Sequence, residues 1–221
     1  MQLVLVYNYK MHHVVIFDFD GTIANTIDLL IRLFNEIAPK YNLQNIKDSE
    51  KETLRNSSAT ELIKIYKISP WKLIGLVKDL RSKLKLDIQN VAITNGLKDV
   101  FEKLGKHDVE LGIVTSNSRE NVQLFLKKWN INSINFIHTE NNLFGKARVL
   151  NNLIKKQGLK KKEVIYVGDE VRDIEAAQKV GIKIIAVTWG FNSEKRLKKA
   201  KPTYLISEPK EIIVKLALDD I

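Results

Sequence analysis

Short apolar runs alternate with longer amphipathic segments along most of the chain. Six of the apolar runs are rich in Val and Ile and predict strands, with the sequences HVVIFDFD, VELGIVTSN, INFIHTE, EVIYVGDE, IKIIAVTWG and TYLIS. Four segments between them carry apolar residues at helical spacing: NGLKDVFEKLG, RENVQLFLKKW, KARVLNNLIKKQG and DIEAAQKVG. Because such strands alternate with helices where a parallel sheet is covered on both faces, the pattern predicts an α/β fold with a doubly wound parallel sheet.

One interval, residues 25–93, breaks this alternation. It shows almost no strand signal, but the segment IDLLIRLFNEIAPKY has helical spacing, a capping box spans Ser58 to Glu61, and Pro70 opens another helical segment. We therefore expect a helical domain of residues 25–93, inserted after the first strand of a core that comprises residues 1–24 and 94–221.

Polar residues follow three of the predicted strands at the point where the apolar run ends. They are Asp18 and Asp20 after the first strand, Thr115 and Ser116 after the second, and Asp169 after VIYVG. In doubly wound sheets, ligands bind beyond the carboxyl ends of the strands, so these residues are the first candidates for a functional site.

The carboxylates among these residues favour a bound cation. Two carboxylates at a strand end repel each other and are costly to desolvate, and a divalent cation would resolve the repulsion. Asp173 lies four residues beyond Asp169, one helical turn away, so Asp18, Asp169 and Asp173 are candidates for one shared ion. Oxygen ligands in a chain without cysteine or clustered histidine favour Mg²⁺. Helix capping is the alternative role for Asp169 and Asp173.

The same positions are suited to phosphoryl transfer. An aspartate can attack phosphorus and form an aspartyl-phosphate that water then hydrolyses. This route needs a proton donor for the leaving oxygen, which Asp20 can supply from two residues beyond Asp18, and groups that balance the charge of the transferring oxygens. Thr115 and Lys146, the latter in NNLFGKARVL, are candidates for that balance, and an ordinary surface lysine is the alternative for Lys146.

Four short motifs occur in order along the chain: DFDGT, IVTSN, a lone Lys146 and VGDEVRD. Over most of its length the chain thereby resembles the haloacid dehalogenase (HAD) superfamily of phosphohydrolases. The resemblance implies a Rossmann-like core, with Asp18 as the nucleophile and Asp20 as the general acid and then the general base. It also implies that Mg²⁺ binds the carboxylates of Asp18 and Asp169 and the backbone carbonyl of Asp20, with Asp173 supporting the metal shell.

The resemblance further implies which residues hold the substrate. Thr115 would bind a phosphoryl oxygen with Ser116 and Asn117 beside it, and Lys146 would steady the phosphate and the nucleophile. Thr22 is a further candidate for substrate binding. Many relatives place the lysine in a Lys-Pro dipeptide, whereas this chain has the sequence KAR.

The helical insertion resembles the cap of phosphoglycolate phosphatase-like members of the superfamily. Such a cap would close over the site, exclude water and choose the organic half of the substrate. Within it, Arg55 in TLRNSSATELI is the candidate contact for an anionic substrate group, and a solvated helix arginine is the alternative.

These features favour a Mg²⁺-dependent phosphatase that hydrolyses a small phosphate monoester, of the phosphoglycolate, sugar phosphate or nucleotide type, through an aspartyl-phosphate intermediate. A phosphomutase of the beta-phosphoglucomutase type would use the same residues. A non-catalytic binding protein on the same fold is the alternative from another functional class. The dehalogenase branch is disfavoured, because its members lack an acid at the position of Asp20.

The composition of the whole chain adds little to this interpretation. The net charge of +10 attracts anionic partners, but the lysines lie mostly in helix-like segments without a nucleic-acid motif, so nucleic-acid binding is not expected as the main role. No apolar stretch is long enough to span a membrane, and zero cysteine fits a cytoplasmic protein. We expect a small phosphorylated metabolite as the partner, a monomer or homodimer, and an extension or fraying strand in residues 1–10.

Overall fold

The computed structural model describes residues 14–107, 109–139 and 145–216. The six strands in this part of the chain are β1 (Val14–Phe17), β2 (Glu110–Thr115), β3 (Phe136–Thr139), β4 (Val164–Gly168), β5 (Lys183–Val187) and β6 (Tyr204–Ile206). They form one parallel sheet in the order β3-β2-β1-β4-β5-β6. Each strand lies within one of the six segments that the hydrophobic pattern predicted.

The helices lie between the strands, in the long interval after β1, and after β6. They are α1 (Ile27–Ile37), α2 (Lys51–Arg55), α3 (Ala59–Ile65), α4 (Pro70–Asp87), α5 (Leu97–Leu104), α6 (Arg119–Lys128), α7 (Lys146–Lys156), α8 (Val171–Val180), α9 (Glu194–Lys199) and α10 (Glu211–Lys215). Short 3-10 turns cover Ala38–Tyr41, Asp48–Glu50, Ile88–Asn90 and Lys161–Glu163.

Alternate side chains of the central strands β1 and β4 point to opposite faces of the sheet and are buried on both. Val15 and Phe17 of β1 join one hydrophobic cluster with residues of α5 and α6, and the ring of Phe17 meets that of Phe101 edge-on at 5.1 Å. Val14 and Ile16 join the second cluster, which includes residues of α7, α8 and α9. Helices therefore cover both faces, and the predicted doubly wound α/β fold is confirmed.

Between Ile27 and Asn90 the described chain consists of helices, 3-10 turns and connecting loops. The predicted capping box is confirmed, since the Ser58 hydroxyl accepts from the N–H of Glu61 and the Glu61 carboxylate accepts from the N–H of Ser58. Pro70 opens α4 as predicted. The short helix α2 was not predicted, because five residues carry too little periodicity to identify a helix.

The chain leaves the sheet region and returns to it through two adjacent segments. Ala24 and Ile93 form an antiparallel bridge, and the N–H of Asn25 donates to the carbonyl of Ala92 at 3.0 Å. We call residues 25–93 the cap segment. Its division from the core as a separate domain stays a prediction.

The predicted extension in residues 1–10 lies outside the described residues. Within the described part of the chain, every helix is too short or too polar to cross a membrane.

Candidate active site

The candidate site lies at the carboxyl edge of the sheet, between β1 and β4. The strand order reverses at β1, since β2 and β3 lie on one side of it and β4, β5 and β6 on the other. Ligand crevices form at such points in doubly wound sheets. Asp18 follows β1 and Asp169 follows β4, and the N–H of Asp18 donates to the carbonyl of Val167 at 2.8 Å. Two aspartates that are distant in the sequence thus lie on neighbouring strand ends.

Three buried carboxylates form the centre of the site. Asp18, Asp169 and Asp173 offer oxygen atoms that all lie within 4.8 Å of one another, and these residues are at most 2% exposed. Burial raises the pKa of Asp18 to about 7, more than the attraction of Lys146 lowers it. Burial and the surrounding acids also raise the pKa of Asp169 well above its usual range. A bound cation would relieve both effects, so this oxygen-rich cluster fits a hard divalent ion.

Lys146 connects two of these carboxylates. Its Nζ atom lies 2.8 Å from Oδ2 of Asp18 and 2.5 Å from Oδ1 of Asp173, and 5.4 Å from the centre of the Tyr166 ring. Burial would lower the pKa of Lys146, but the attraction of Asp173 and Asp18 outweighs burial and raises it, so the ammonium group stays charged. The alternative of a surface lysine is wrong, because Lys146 is only 6% exposed.

Asp173 both caps a helix and forms part of the site. Its Oδ2 atom accepts a hydrogen bond from the N–H of Glu170 at 3.0 Å, at the start of α8. Its Oδ1 atom contacts Lys146. Helix capping and participation in the site, which the sequence left as alternatives for Asp173, therefore occur together.

Asp169 is held in place by groups from two loops. The hydroxyl of Thr22 donates to Oδ1 at 2.7 Å, and the N–H of Phe191 donates to Oδ2 at 2.6 Å. Thr22 was predicted to bind substrate, but it is fully buried and its hydroxyl is directed at Asp169. In this arrangement Thr22 orients a candidate metal ligand, and its contact with a substrate stays a prediction.

Two glycines leave the space that Asp169 fills. Gly21 has a φ of +76°, and a Cβ atom on it would lie 2.3 Å from Oδ2 of Asp169. A Cβ atom on Gly190 would lie 2.1 Å from Cβ of Asp169. The glycine of DFDGT is thus required by its left-handed backbone conformation and by the close approach of a carboxylate.

Asp20 lies beside the carboxylate cluster and is oriented by Asn117. The side-chain amide of Asn117 donates to both carboxylate oxygens of Asp20, at 3.0 and 3.1 Å. Burial raises the pKa of Asp20, and the hydrogen bonds from Asn117 offset only part of this rise. A carboxyl group that retains its proton to higher pH is suited to donating that proton. Asn117 therefore orients Asp20, and its predicted place beside the substrate stays a prediction.

Thr115 and Ser116 lie at the end of β2, where they were predicted. The hydroxyl oxygen of Thr115 accepts from the N–H of Asn117 at 3.0 Å, and Thr115 is almost fully buried. The carbonyl of Ser116 accepts from Nη2 of Arg81 in α4 at 3.0 Å. This contact connects the cap segment to the loop that follows β2.

A cavity of about 250 Å³ opens beside these groups, between the strand ends and the cap segment. Asp20, Ser116 and Asn117 line its core side. Three charged residues that the sequence analysis did not single out also line it: Arg81, Glu170 and Arg172. Glu170 and Arg172 lie inside the VGDEVRD motif, so that motif was the available signal. Arg81 has no such signal, because it stands among the lysines of α4.

Arg172 lies close to the acids of the site. Its Nη2 atom is 2.5 Å from Oε1 of Glu170. Burial would lower the pKa of Arg172, but the attraction of Glu170, Asp173 and Asp18 raises it. The group therefore adds a permanent positive charge to the wall of the cavity.

Arg55 does not line this cavity. Its Nη2 atom donates to the carbonyl of Thr188 at 3.0 Å, in the loop after β5. The N–H of Ser193 in turn donates to the carbonyl of Arg55 at 3.0 Å. The structure therefore brings Arg55 against the core rather than beside Asp18 and Asp20, and its contact with an anionic substrate group stays a prediction.

Comparison with known proteins supports the motif-based interpretation. The family model of the haloacid dehalogenase-like hydrolases matches residues 15–187. A phosphoglycolate phosphatase of Synechococcus elongatus is 32% identical over 200 residues, which cover 90% of this chain and 94% of that protein. The pyrophosphatase PpaX of Oceanobacillus iheyensis is 26% identical, over 90% of this chain and 94% of its own length.

Solved structures share the fold at lower sequence identity. A predicted phosphatase from Clostridium acetobutylicum superposes with a TM-score of 0.81 at 19% identity, covering 94% of this chain and 99% of that one. A haloacid dehalogenase-like protein from Streptococcus pneumoniae superposes with a TM-score of 0.77 at 21% identity, covering 92% and 97% of the two chains. The predicted resemblance and enzyme class are thus confirmed: the chain belongs to the haloacid dehalogenase-like hydrolase family and is a hydrolase enzyme.

Proposed function

We propose that the protein is a Mg²⁺-dependent phosphatase that hydrolyses a small phosphate monoester through an aspartyl-phosphate on Asp18. The observation that carries this proposal is the buried group in which Asp18 lies 2.8 Å from Lys146 and within 4.8 Å of the carboxylates of Asp169 and Asp173. The family and its phosphatase relatives support the same chemistry.

Asp18 and Asp169 would hold the ion, with the backbone carbonyl of Asp20 as a third ligand and Asp173 as support. The three carboxylates, which crowd negative charge into a buried space, fit this role. When bound, Mg²⁺ neutralises charge on the phosphoryl oxygens and lowers the repulsion between phosphate and the carboxylate nucleophile.

In the first step, a carboxylate oxygen of Asp18 attacks phosphorus and the bond from phosphorus to the ester oxygen breaks. Asp20 gives its proton to that oxygen, so the organic half leaves with a neutral hydroxyl group. The hydrogen bonds from Asn117 to Asp20 fix the direction of this transfer.

In the second step, water attacks the phosphorus of the aspartyl-phosphate and Asp20, now a carboxylate, takes its proton. The bond from phosphorus to Asp18 breaks, which restores the Asp18 carboxylate and releases phosphate. Asp20 is protonated again at the end of the cycle.

Lys146 and Thr115 stabilise the charge that develops during both steps. The Lys146 ammonium already contacts the Asp18 carboxylate, so it remains beside the oxygen that becomes bonded to phosphorus. The Thr115 oxygen accepts from the Asn117 N–H, which leaves the hydroxyl proton free to donate to a phosphoryl oxygen. The cap segment would exclude water from the first step.

The test is phosphate release from a panel of phosphorylated acids, sugars and nucleotides, with Mg²⁺ and with a chelator, for the wild type and Asp18→Asn. We expect metal-dependent release that falls by a factor on the order of 10³ or more in the variant, about 4 kcal/mol of barrier. Asp99→Asn, which removes an exposed carboxylate from α5, is the matched control and should behave as the wild type.

Two outcomes would contradict the proposal. Retention of most activity by Asp18→Asn would exclude the aspartyl-phosphate route. Conversion of a substrate into an isomeric phosphate ester without free phosphate would instead identify a phosphomutase.

A further inference from the structure

The cap segment contributes a mainly aliphatic wall to the cavity. Only one charged residue, Arg81, lies on this side of the lining among the described residues. The aliphatic residues are Ile27, Leu30, Leu62, Val77, Leu80 and Leu84. We call these six residues the aliphatic wall.

Three members of the aliphatic wall take no part in the hydrophobic clusters of the described chain. Ile27, Leu62 and Val77 are half-buried and lie outside those clusters, whereas Leu84 is buried in the main core. Aliphatic side chains that remain accessible inside a cavity, without a packing role, are typical of a surface that meets a ligand.

The polar groups of the cavity lie towards the strand ends. Arg81 donates to the carbonyl of Ser116, so its guanidinium group stands beside the loop after β2. Asp20 and Asn117 come from the same edge of the sheet. A sugar placed against the aliphatic wall would lose hydrogen bonds to water without gaining replacements. A second anionic group placed against these six side chains would be desolvated unless it reached Arg81 or Arg172, both of which already contact other groups.

We propose that this cavity selects phosphate monoesters whose organic half is mainly hydrocarbon, that is, alkyl or aryl phosphates. The proposal rests on the proposed function, because it places the phosphoryl group at Asp18 and the hydrocarbon part against Leu62 and Val77. The substrates in the names of the relatives, phosphoglycolate and pyrophosphate, carry charge at both ends and therefore make the contrasting arms of a test.

The test compares kcat/KM for methyl, ethyl, propyl and butyl phosphate with that for phosphoglycolate, glycerol phosphate and pyrophosphate. Each methylene that enters an apolar site should raise kcat/KM about three- to fourfold. A flat alkyl series, or a preference for phosphoglycolate over butyl phosphate, would overturn the inference.

A double variant, Leu62→Asn with Val77→Thr, tests the aliphatic wall directly. Both changes nearly preserve side-chain shape at half-buried positions, so the melting temperature should change little. We expect kcat/KM for butyl phosphate to fall roughly tenfold, while the value for methyl phosphate stays within about twofold. Ile74→Thr is the matched control, because Ile74 is 65% exposed on α4 and lies outside the cavity lining.

The outcomes separate this inference from the proposed function. The hydrocarbon preference alone is rejected if phosphate release needs the metal and Asp18 but does not depend on alkyl chain length. It is also rejected if the double variant loses kcat/KM equally for butyl and methyl phosphate. Absence of release from every ester, phosphoglycolate included, rejects the phosphatase itself.

Discussion

The carboxyl edge of the sheet and the cap segment differ in how deeply their charged groups are buried. At the sheet edge, the side chains of Lys146 and Asp18 are 8% and 3% exposed and pair at 2.8 Å. In the cap segment, Lys40 pairs with Asp79, and their side chains are 66% and 28% exposed. Buried charges are costly to desolvate, whereas exposed pairs contribute little to stability. The buried charges at the sheet edge therefore bear a desolvation cost, which fits a role in catalysis, whereas the charges of the Lys40 pair remain hydrated.

The two regions also differ in how their apolar residues are buried. Strand residues are enclosed between the sheet and the helices on each face, Phe17 on one face and Ile16 on the other. The separate cluster within the cap segment has four buried members: Phe34, Ile37, Ala38 and Leu76. Leu33, Leu84 and Ile88 of the cap segment belong instead to the main core. A small cluster contributes little to the free energy of unfolding, so we expect the part of the cap segment around these four residues to open locally more readily than the core.

The largest expected effect tests this difference in packing. Phe101→Ala should lower the free energy of unfolding of the whole protein by about 3–5 kcal/mol, because Phe101 is fully buried against Phe17. Phe34→Ala should instead increase amide hydrogen exchange within residues 27–87 and leave exchange in β1 and β4 unchanged. Hydrogen exchange with mass spectrometry measures both. Equal loss of protection in the two regions of the Phe34 variant would mean that cap segment and core unfold together.

The second prediction concerns the buried charges at the sheet edge. Lys146→Met preserves much of the side-chain length but removes the ammonium group that pairs with both Asp18 and Asp173. We expect kcat to fall by a factor of about 10²–10³ under saturating Mg²⁺, the range found when one stabilising donor is removed from an active site. Lys155→Met changes an exposed lysine of the same helix and is the control. A loss below about tenfold would show that the metal and backbone groups balance the charge without Lys146.

The third prediction concerns metal binding by the three carboxylates. If the folded protein binds Mg²⁺, free ion at about 100 times Kd should raise the free energy of unfolding by about 2.7 kcal/mol. That gain corresponds to a rise in Tm on the order of 5–10 °C. Asp169→Asn should lose most of this Mg²⁺-dependent rise. The variant should also melt higher than the wild type in chelator, because it removes one of three crowded buried carboxylates. Calorimetry with and without Mg²⁺ measures both effects, and an unchanged Mg²⁺ response in the variant would exclude Asp169 as a ligand.

The strands and the strand-end carboxylates could be predicted because they depend on local patterns. A run such as VVIF is apolar at every position only if both faces of its strand are covered, and the polar residue that follows marks the edge of the sheet. The positions of Asp18 and Asp169 therefore follow from the chain itself, once a parallel sheet is expected.

Side-chain partners at the border between the core and the cap segment could not be predicted in the same way. Arg55 and Arg81 both stand in polar helical sequence, and only the placement of the cap segment decides that Arg81 lines the cavity and Arg55 contacts the loop after β5. Thr22 likewise donates a hydrogen bond to Asp169, and Asn117 donates one to Asp20. The partners in each pair are far apart in the sequence. Local periodicity carries no information about such pairs.

The smallest expected effect concerns the exposed ion pairs of the cap segment. Arg32 pairs with Glu36 at 3.2 Å and with Asp87 at 3.0 Å, and its side chain is 57% exposed. Because water and salt screen such pairs, Arg32→Ala should lower Tm by no more than about 2 °C, and the difference should vanish in roughly 1 M salt. Lys98→Ala, an exposed position in α5, is the control measured in the same low-salt and high-salt buffers. A drop in Tm of several degrees that persists in high salt would mean that Arg32 stabilises the cap segment through packing of its aliphatic stem. The sheet edge and the cap segment would then differ less in how their charged side chains contribute to stability than the exposure of those side chains indicates.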